Sequence, residues 1–106
     1  MDHRQDIIVQ DLRELLLELR QRHDIRAAFL FGSHARGSVT KYSDIDVAII
    51  LGSFRNGSPF DERFEIFHEV QERNSLIEVV CFTEVEFDQG EGTLVRYIKR
   101  EGVRIV

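Results

Sequence analysis

Apolar residues recur every three or four positions in some stretches of the chain and run almost unbroken in others. The first pattern predicts amphipathic helices, because residues three and four apart share one helical face. The second predicts strands buried on both faces of a sheet. Helices are expected over about 6–23, from residue 60 onward and over 93–101. Strands are expected over 27–31, 44–51 and 76–82, with a further candidate over 103–106. This alternation predicts the α/β (α+β) class, with a small mixed β-sheet flanked by helices.

The two longer helical patterns have different apolar faces. The first is aliphatic, with charged residues on a solvated opposite side. Its members are Ile8, Leu12, Leu15, Leu16 and Leu19. The second is largely aromatic and consists of Phe60, Phe64, Phe67 and Val70. Packing of this aromatic face on the sheet is the favoured interpretation, and a platform that stacks a nucleobase is the alternative.

Composition narrows the class of protein. With 106 residues, 42% of them hydrophobic, the chain suffices for one core, and we expect a single domain over 1–106. The net charge of −5 argues against an extended nucleic-acid partner, which requires clustered basic residues. We expect no secretory leader and no membrane span. The lone Cys81 is interpreted as a buried structural thiol, so a cytoplasmic location is expected.

A glycine–serine pair ends the first strand pattern. Gly32 follows the apolar run 27–31 directly, and Ser33 comes next. Glycine permits a tight turn and a close approach of the backbone to a ligand. If a helix begins over 33–36, its free N–H groups and the Ser33 hydroxyl converge on one spot that favours an anion. This arrangement suits the triphosphate of a nucleotide.

Two carboxylates open the next strand pattern. Asp44 and Asp46 are two residues apart, so their side chains point to the same face of a strand. Two anions in this position favour a cation between them, and carboxylate oxygens are ligands that Mg²⁺ prefers. Mg²⁺ completes its octahedron with water and substrate phosphates. The pattern therefore predicts a site for a metal–nucleotide complex.

Glu78 is the lone charge in the apolar pattern over 76–82. A buried Glu needs a partner, because an unpaired charge in an apolar environment is costly. If this strand lies beside the strand over 44–51, Glu78 supplies a third metal ligand and helps to deprotonate an attacking hydroxyl. A structural Glu in a salt bridge is the alternative. Glu84 and Glu86 are weaker candidates, since they follow the strand.

The sequence leaves two alternative roles for each of the other polar residues near the turn. Arg36 either grips a phosphate or pins the turn to a carboxylate. His34 is more simply an exposed loop residue than a contact to phosphate or base. The other histidines lie on different predicted elements without ligand spacing, so no zinc site is assigned to them. They are His3, His23 and His68.

The combined motif resembles a known family. Ten residues separate Gly32-Ser33 from Asp44-x-Asp46, within the segments Gly-Ser-x-x-Arg-Gly and Ser-Asp-Ile-Asp. This pattern resembles the polymerase-beta-type nucleotidyltransferase superfamily, in particular its small MNT-type (minimal nucleotidyltransferase) branch. The resemblance covers most of the chain. Glu78-Val79-Val80 stands where the branch usually carries Asp followed by two apolar residues, and 98–103 looks like its closing helix and strand. Glu78 in place of Asp is the one departure. The resemblance implies the nucleotidyltransferase fold.

The resemblance also implies an activity, which is metal-dependent transfer of a nucleoside monophosphate, AMP from ATP, with release of pyrophosphate. Two Mg²⁺ ions and ATP are the implied cofactor and substrate. The implied catalytic and metal-binding residues are Asp44, Asp46 and Glu78. The implied nucleotide-binding residues are Gly32, Ser33, Arg36 and Ser43.

The acceptor is expected to come from another protein, because 106 residues leave little chain for an acceptor pocket. MNT-type proteins resemble the antitoxin halves of toxin–antitoxin pairs, whose partners are helical HEPN-type ribonucleases, and some transfer AMP to a tyrosine of the toxin. We expect such a HEPN-type partner, and association of the chain with further copies of itself is kept as an additional alternative. One alternative is a weakly active or inactive antitoxin-like module that occludes its partner, since Glu78 replaces the usual Asp. Transfer to an aminoglycoside-like small molecule ranks last.

Overall fold

The computed structural model describes residues 3–32, 35, 44–54 and 58–106. Four helices and four strands are described in chain order, with two of the helices following each other directly before the last strand. They are α1 (His3–Arg20), β1 (Ile25–Phe31), β2 (Ile45–Leu51), α2 (Pro59–Arg73), β3 (Ile77–Thr83), α3 (Glu84–Gln89), α4 (Thr93–Glu101) and β4 (Val103–Arg104).

The strands form one mixed sheet in the order β3-β2-β1-β4. β1 pairs antiparallel with both β2 and β4. β3 pairs parallel with β2, and α2 is the crossover between them. The predicted class, a small mixed sheet flanked by helices, is confirmed. None of the described helices is both long and apolar enough to cross a membrane.

The two faces of the sheet carry separate apolar clusters. Successive strand residues point to opposite faces, so each buried strand contributes to both clusters. The first cluster joins α1 and α2 to one face and includes Leu16, Leu19, Val47, Ile49 and Ile66. The second joins α3 and α4 to the other face and includes Phe31, Ala48, Ile50, Phe87 and Ile98. The aliphatic stripe predicted for α1 lies in the first cluster.

The predicted packing of the aromatic face of α2 is wrong for its three phenylalanines. Their exposed fractions are 75% for Phe60, 57% for Phe64 and 45% for Phe67. Only Val70 of the predicted set is buried, and it shares the inner face with Ile66 and Glu62. Hydrophobicity alone selects the wrong face, because the inner face contains a charged residue whose carboxylate is satisfied by a distant histidine.

A short helix that the hydrophobic pattern did not predict, α3, follows β3 directly. Thr83 accepts a hydrogen bond from the Glu86 backbone N–H, and the Glu86 carboxylate accepts one from the Thr83 N–H, which completes a capping box. The backbone hydrogen bond from Thr83 lowers the pKa of Glu86, and the nearby Arg63 guanidinium lowers it further. Glu86 therefore serves as a helix cap that also pairs with α2.

Candidate functional site

One end of the sheet brings together residues from three strands. β1 ends at Phe31, immediately before Gly32, and Phe31 is the register partner of Asp46 near the start of β2. Asp46 is in turn the register partner of Glu78 near the start of β3. The structure therefore places Gly32, Asp46 and Glu78 at the same end of three neighbouring strands. The condition set by the sequence, that the strand of Glu78 lies beside that of Asp46, is met.

The two strand carboxylates share one face of the sheet. Asp46 is two residues from Ala48, and Glu78 is two residues from Val80, and both apolar residues belong to the second cluster. Neighbouring strands lie about 4.8 Å apart, so side chains in register on one face are adjacent. Asp46 is half-buried, whereas Glu78 and Asp44 are exposed. Like charges in register destabilise a sheet unless a cation lies between them, so this donor set fits a hard divalent ion.

Gly32 provides the space that Asp46 occupies. Its φ is +74°, in the left-handed region that glycine adopts without steric cost. A Cβ built on Gly32 would lie 2.3 Å from Oδ2 of Asp46, well inside van der Waals contact. Both the backbone conformation and the position of the carboxylate therefore require glycine here.

Replacing Gly32 by alanine is expected to destabilise the fold and to weaken the binding of Mg–ATP that the sequence motif implies. A non-glycine residue in the left-handed region costs about 1–2 kcal/mol, and the new methyl group would displace the Asp46 carboxylate. Urea unfolding and titration with ATP and Mg²⁺ measure the two effects. Gly92→Ala is the matched control, because nothing lies within 4 Å of a Cβ there. Equal behaviour of the two variants would contradict the role of Gly32.

Several residues of the predicted site fall outside the described residues. They are Ser33, Arg36 and Ser43, and the neighbouring His34 falls outside the described residues as well. Within 33–43 the structure describes Ala35, which is helical, half-buried and packed against the first cluster. The predicted nucleotide-binding roles of Ser33, Arg36 and Ser43 stay predictions.

Cys81 lies on β3, on the face opposite to Glu78, and packs against the first cluster. Burial raises the pKa of its thiol to about 12. The nearby Arg63 guanidinium lowers that pKa and the Glu62 carboxylate raises it, but both effects are smaller than that of burial. The thiol is therefore neutral at physiological pH, as a structural cysteine is expected to be.

Besides the strand carboxylates, the described residues include a cluster of polar side chains around the buried His23. His23 and Glu62 are both fully buried, and His23 Nδ1 lies 2.8 Å from Oε1 of Glu62. His23 Nε2 lies 2.9 Å from Oε2 of Glu69, whose other oxygen accepts a hydrogen bond from Arg22. The two nitrogens of one imidazole ring thus contact both carboxylates. This cluster fixes the turn after α1 to α2.

The histidine cluster is remote from the predicted metal site. One ligand atom each from His23, Glu65 and Glu69 lies within 4.8 Å of the others, a spacing that could hold a metal ion. His23 precedes β1, however, whereas Gly32 follows it, so the cluster and the strand carboxylates lie at opposite ends of the sheet. Sequence reasoning found no ligand spacing around His23, because its carboxylate partners are 39 and 46 residues away.

Comparison with protein families identifies the class. The model of the nucleotidyltransferase domain family matches residues 12–105. The chain therefore belongs to the nucleotidyltransferase domain family, which confirms the family predicted from its motif. No curated protein matches the chain significantly.

Solved structures share the fold. A candidate nucleotidyltransferase from Sulfolobus solfataricus aligns with a TM-score of 0.66 and 19% identity, over 94% of this chain and 80% of that one. A toxin–antitoxin structure with AMP-PNP aligns with a TM-score of 0.64 and 16% identity, over 89% of this chain and 72% of that one. A mutant of the toxin–antitoxin pair MntA–HpeT aligns with a TM-score of 0.59 and 14% identity, over the same shares. The fold predicted from the resemblance to MNT-type proteins is thus confirmed.

Proposed function

We propose that this protein transfers AMP from ATP to a hydroxyl group of a partner protein and thereby acts as an antitoxin. One observation carries the proposal: Asp46 and Glu78 are in register on one face of neighbouring strands, beside the left-handed turn at Gly32. This places two carboxylates and a close-approaching backbone at one end of the sheet. Membership of the nucleotidyltransferase domain family supports the type of chemistry.

In this proposal Asp44, Asp46 and Glu78 hold two Mg²⁺ ions. Bound Mg²⁺ neutralises charge on the triphosphate and on the leaving pyrophosphate. Gly32 and Ser33 would bind the distal phosphates of ATP in this proposal. Most of the rate enhancement then comes from positioning and charge neutralisation, which is typical of phosphoryl chemistry.

The chemical step is an in-line displacement at the α-phosphorus. The acceptor oxygen forms a bond to the α-phosphorus, while the bond from that phosphorus to the oxygen bridging to the β-phosphate breaks and pyrophosphate leaves. Glu78 accepts the proton of the attacking hydroxyl. Its exposure at the edge strand β3 makes its carboxylate accessible to an acceptor from outside the chain.

The proposed acceptor is a tyrosine of a HEPN-type toxin. Two of the structures that share the fold are toxin–antitoxin structures, one of them with AMP-PNP. A tyrosine hydroxyl on a partner fits a site whose third carboxylate is open to solvent. The partner supplies the surface around the acceptor.

Intact-mass spectrometry tests the proposal. The chain and a co-purified HEPN-type partner are incubated with ATP and Mg²⁺, and the native chain is compared with Asp44→Ala. We expect the mass of one AMP, or of several, on the partner with the native chain and no addition with the variant. A stable complex without any adduct would overturn AMP transfer.

The alternative function is occlusion of the partner without chemistry. Glu78 favours it, because its additional methylene moves the carboxylate outward by about 1.5 Å relative to Asp, and Mg²⁺ demands near-ideal octahedral geometry. Glu78→Asp separates the two functions. An adduct that forms faster with Asp indicates a catalytic site that Glu weakens. Control of the toxin that is unchanged in Glu78→Asp and in Asp44→Ala indicates occlusion.

A further inference from the structure

The outer face of α2 carries an exposed aromatic stripe, which consists of Phe60, Phe64 and Phe67 together with His68. The Phe60 and Phe64 rings are stacked with their centroids 6.5 Å apart. The His68 ring meets Phe64 edge-on at 4.6 Å and Phe67 at 6.3 Å. Exposed phenylalanines are ordinary when they are scattered singly, but a contiguous row of them marks an interaction surface.

A row of carboxylates borders the aromatic stripe on one side. Asp61 and Glu65 each follow a phenylalanine of the stripe, so they are rotated about 100° from it around the helix, and Glu72 continues the row. All three are exposed. The arginines of the same helix are already paired, Arg63 with Glu86 and Arg73 with Glu18. On α2 itself, the described border of the stripe is therefore acidic.

We propose that the aromatic stripe is the docking surface for a helix of a partner protein that presents apolar side chains flanked by Lys or Arg. The phenyl rings would pack in the apolar row of that helix, as in other helix-in-groove complexes. Its cations would meet the carboxylate row and the faces of the rings. A second copy of this chain fits poorly, since it would bring the same carboxylates and a net charge of −5.

The aromatic stripe leads to the proposed catalytic end of the sheet. One turn beyond Phe67, Gln71 donates a hydrogen bond from Nε2 to the carbonyl of Ile77 at 2.6 Å. Ile77 directly precedes Glu78 on β3. A helix docked along the stripe would thus bring its protein to the start of the edge strand β3, which carries Glu78 on its other face and is the strand where the proposed function requires an acceptor. In this respect the inference rests on the proposed function.

Two synthetic amphipathic peptides test the docking surface. They share one apolar face, which is flanked by lysines in the first peptide and by glutamates in the second, and fluorescence anisotropy measures their binding to the full chain. We expect the lysine peptide to bind at least about ten-fold more tightly, as expected for complementary charge. Phe64→Ser/Phe67→Ser should abolish binding, whereas Leu17→Ser, an exposed leucine on α1, should leave it unchanged.

A further variant measures how much charge contributes to peptide binding, and sedimentation analysis tests whether a second copy of the chain occupies the stripe instead. Asp61→Asn/Glu72→Gln should remove the preference for the lysine peptide. Equal binding of both peptides, or binding that survives the serine substitutions, would overturn the proposal. So would a native dimer in sedimentation analysis that the serine substitutions convert to monomer, because the stripe would then hold a second copy.

Docking and catalysis can fail separately. Asp44→Ala should bind the lysine peptide as the native chain does, because Asp44 precedes β2 and is not part of α2. Peptide binding without any AMP transfer to the HEPN-type partner would overturn only the proposed function. Transfer to that partner at an unchanged rate by Phe64→Ser/Phe67→Ser would overturn only the docking surface.

Discussion

Asp46→Asn is expected to reduce AMP transfer by at least about 100-fold, a loss typical of removing one preorganised charge-stabilising group. The substitution preserves the size of the side chain and removes its charge. Asp46 is the central residue of the proposed site, since it is in register with Glu78 and its carboxylate occupies the space where a side chain of residue 32 would lie. The change should therefore remove binding of Mg–ATP as well as turnover. Titration of ATP in the presence of Mg²⁺, followed by single-turnover kinetics, measures both.

The melting temperature provides a readout that does not depend on the acceptor. A ligand that binds only the folded chain stabilises it by mass action. Mg²⁺ with ATP should raise the melting temperature of the native chain and of the control Asp88→Asn, an exposed carboxylate on α3. It should not raise that of Asp46→Asn. An equal increase for all three chains would show that the nucleotide binds elsewhere.

His23→Leu is expected to lower the free energy of unfolding by about 3 kcal/mol, the upper part of the range for removing one partner of a buried hydrogen bond. The leucine would leave the fully buried Glu62 carboxylate without the imidazole 2.8 Å away. Glu69 would lose the second contact of that ring. Urea unfolding measures the change. His68→Leu is the control, because that histidine is exposed, and its effect should stay within about 0.5 kcal/mol.

A double-mutant cycle identifies the cause of that loss. Replacing both His23 and Glu62 by leucine removes the two buried polar groups together, and apolar replacement of both partners of a buried hydrogen bond can be nearly neutral or stabilising. The double variant should therefore be more stable than His23→Leu alone. If it is less stable by the sum of both single effects, the two residues act independently and the coupling is absent.

Much of the fold follows from local patterns. The strands observed at Ile25–Phe31, Ile45–Leu51 and Ile77–Thr83 lie within two residues of the predicted ones, because apolar runs bounded by polar residues define buried strands. α4 has the predicted bounds. α1 begins and ends three residues earlier than predicted, since its apolar stripe defines the face of the helix better than its ends. The missed helix α3 did carry a local signal, the Thr83–Glu86 capping box.

The arrangement of the candidate site could be predicted in part for the same reason. Gly32 and the two aspartates lie on elements that follow each other along the chain, so their spacing carries the motif. The position of Glu78 depends on a long-range parallel pairing, which the sequence could state only as a condition. The sequence pattern did not predict which face of α2 is buried. That face contains Glu62, whose burial depends on its contact with the distant His23, and no local pattern encodes such a contact.

The crossover between β2 and β3 has a consequence for the order of folding. β1 and β2 follow each other along the chain and pair antiparallel. β3 pairs with β2 in parallel, and the helix α2 lies between these two strands in the sequence. Non-local pairing of this kind is slow, because the entropy of closing the intervening segment is lost before its contacts form. Asp46 and Glu78 should therefore become neighbours late in folding. The proposed binding of Mg–ATP should then be gained during refolding only after β3 has paired with β2.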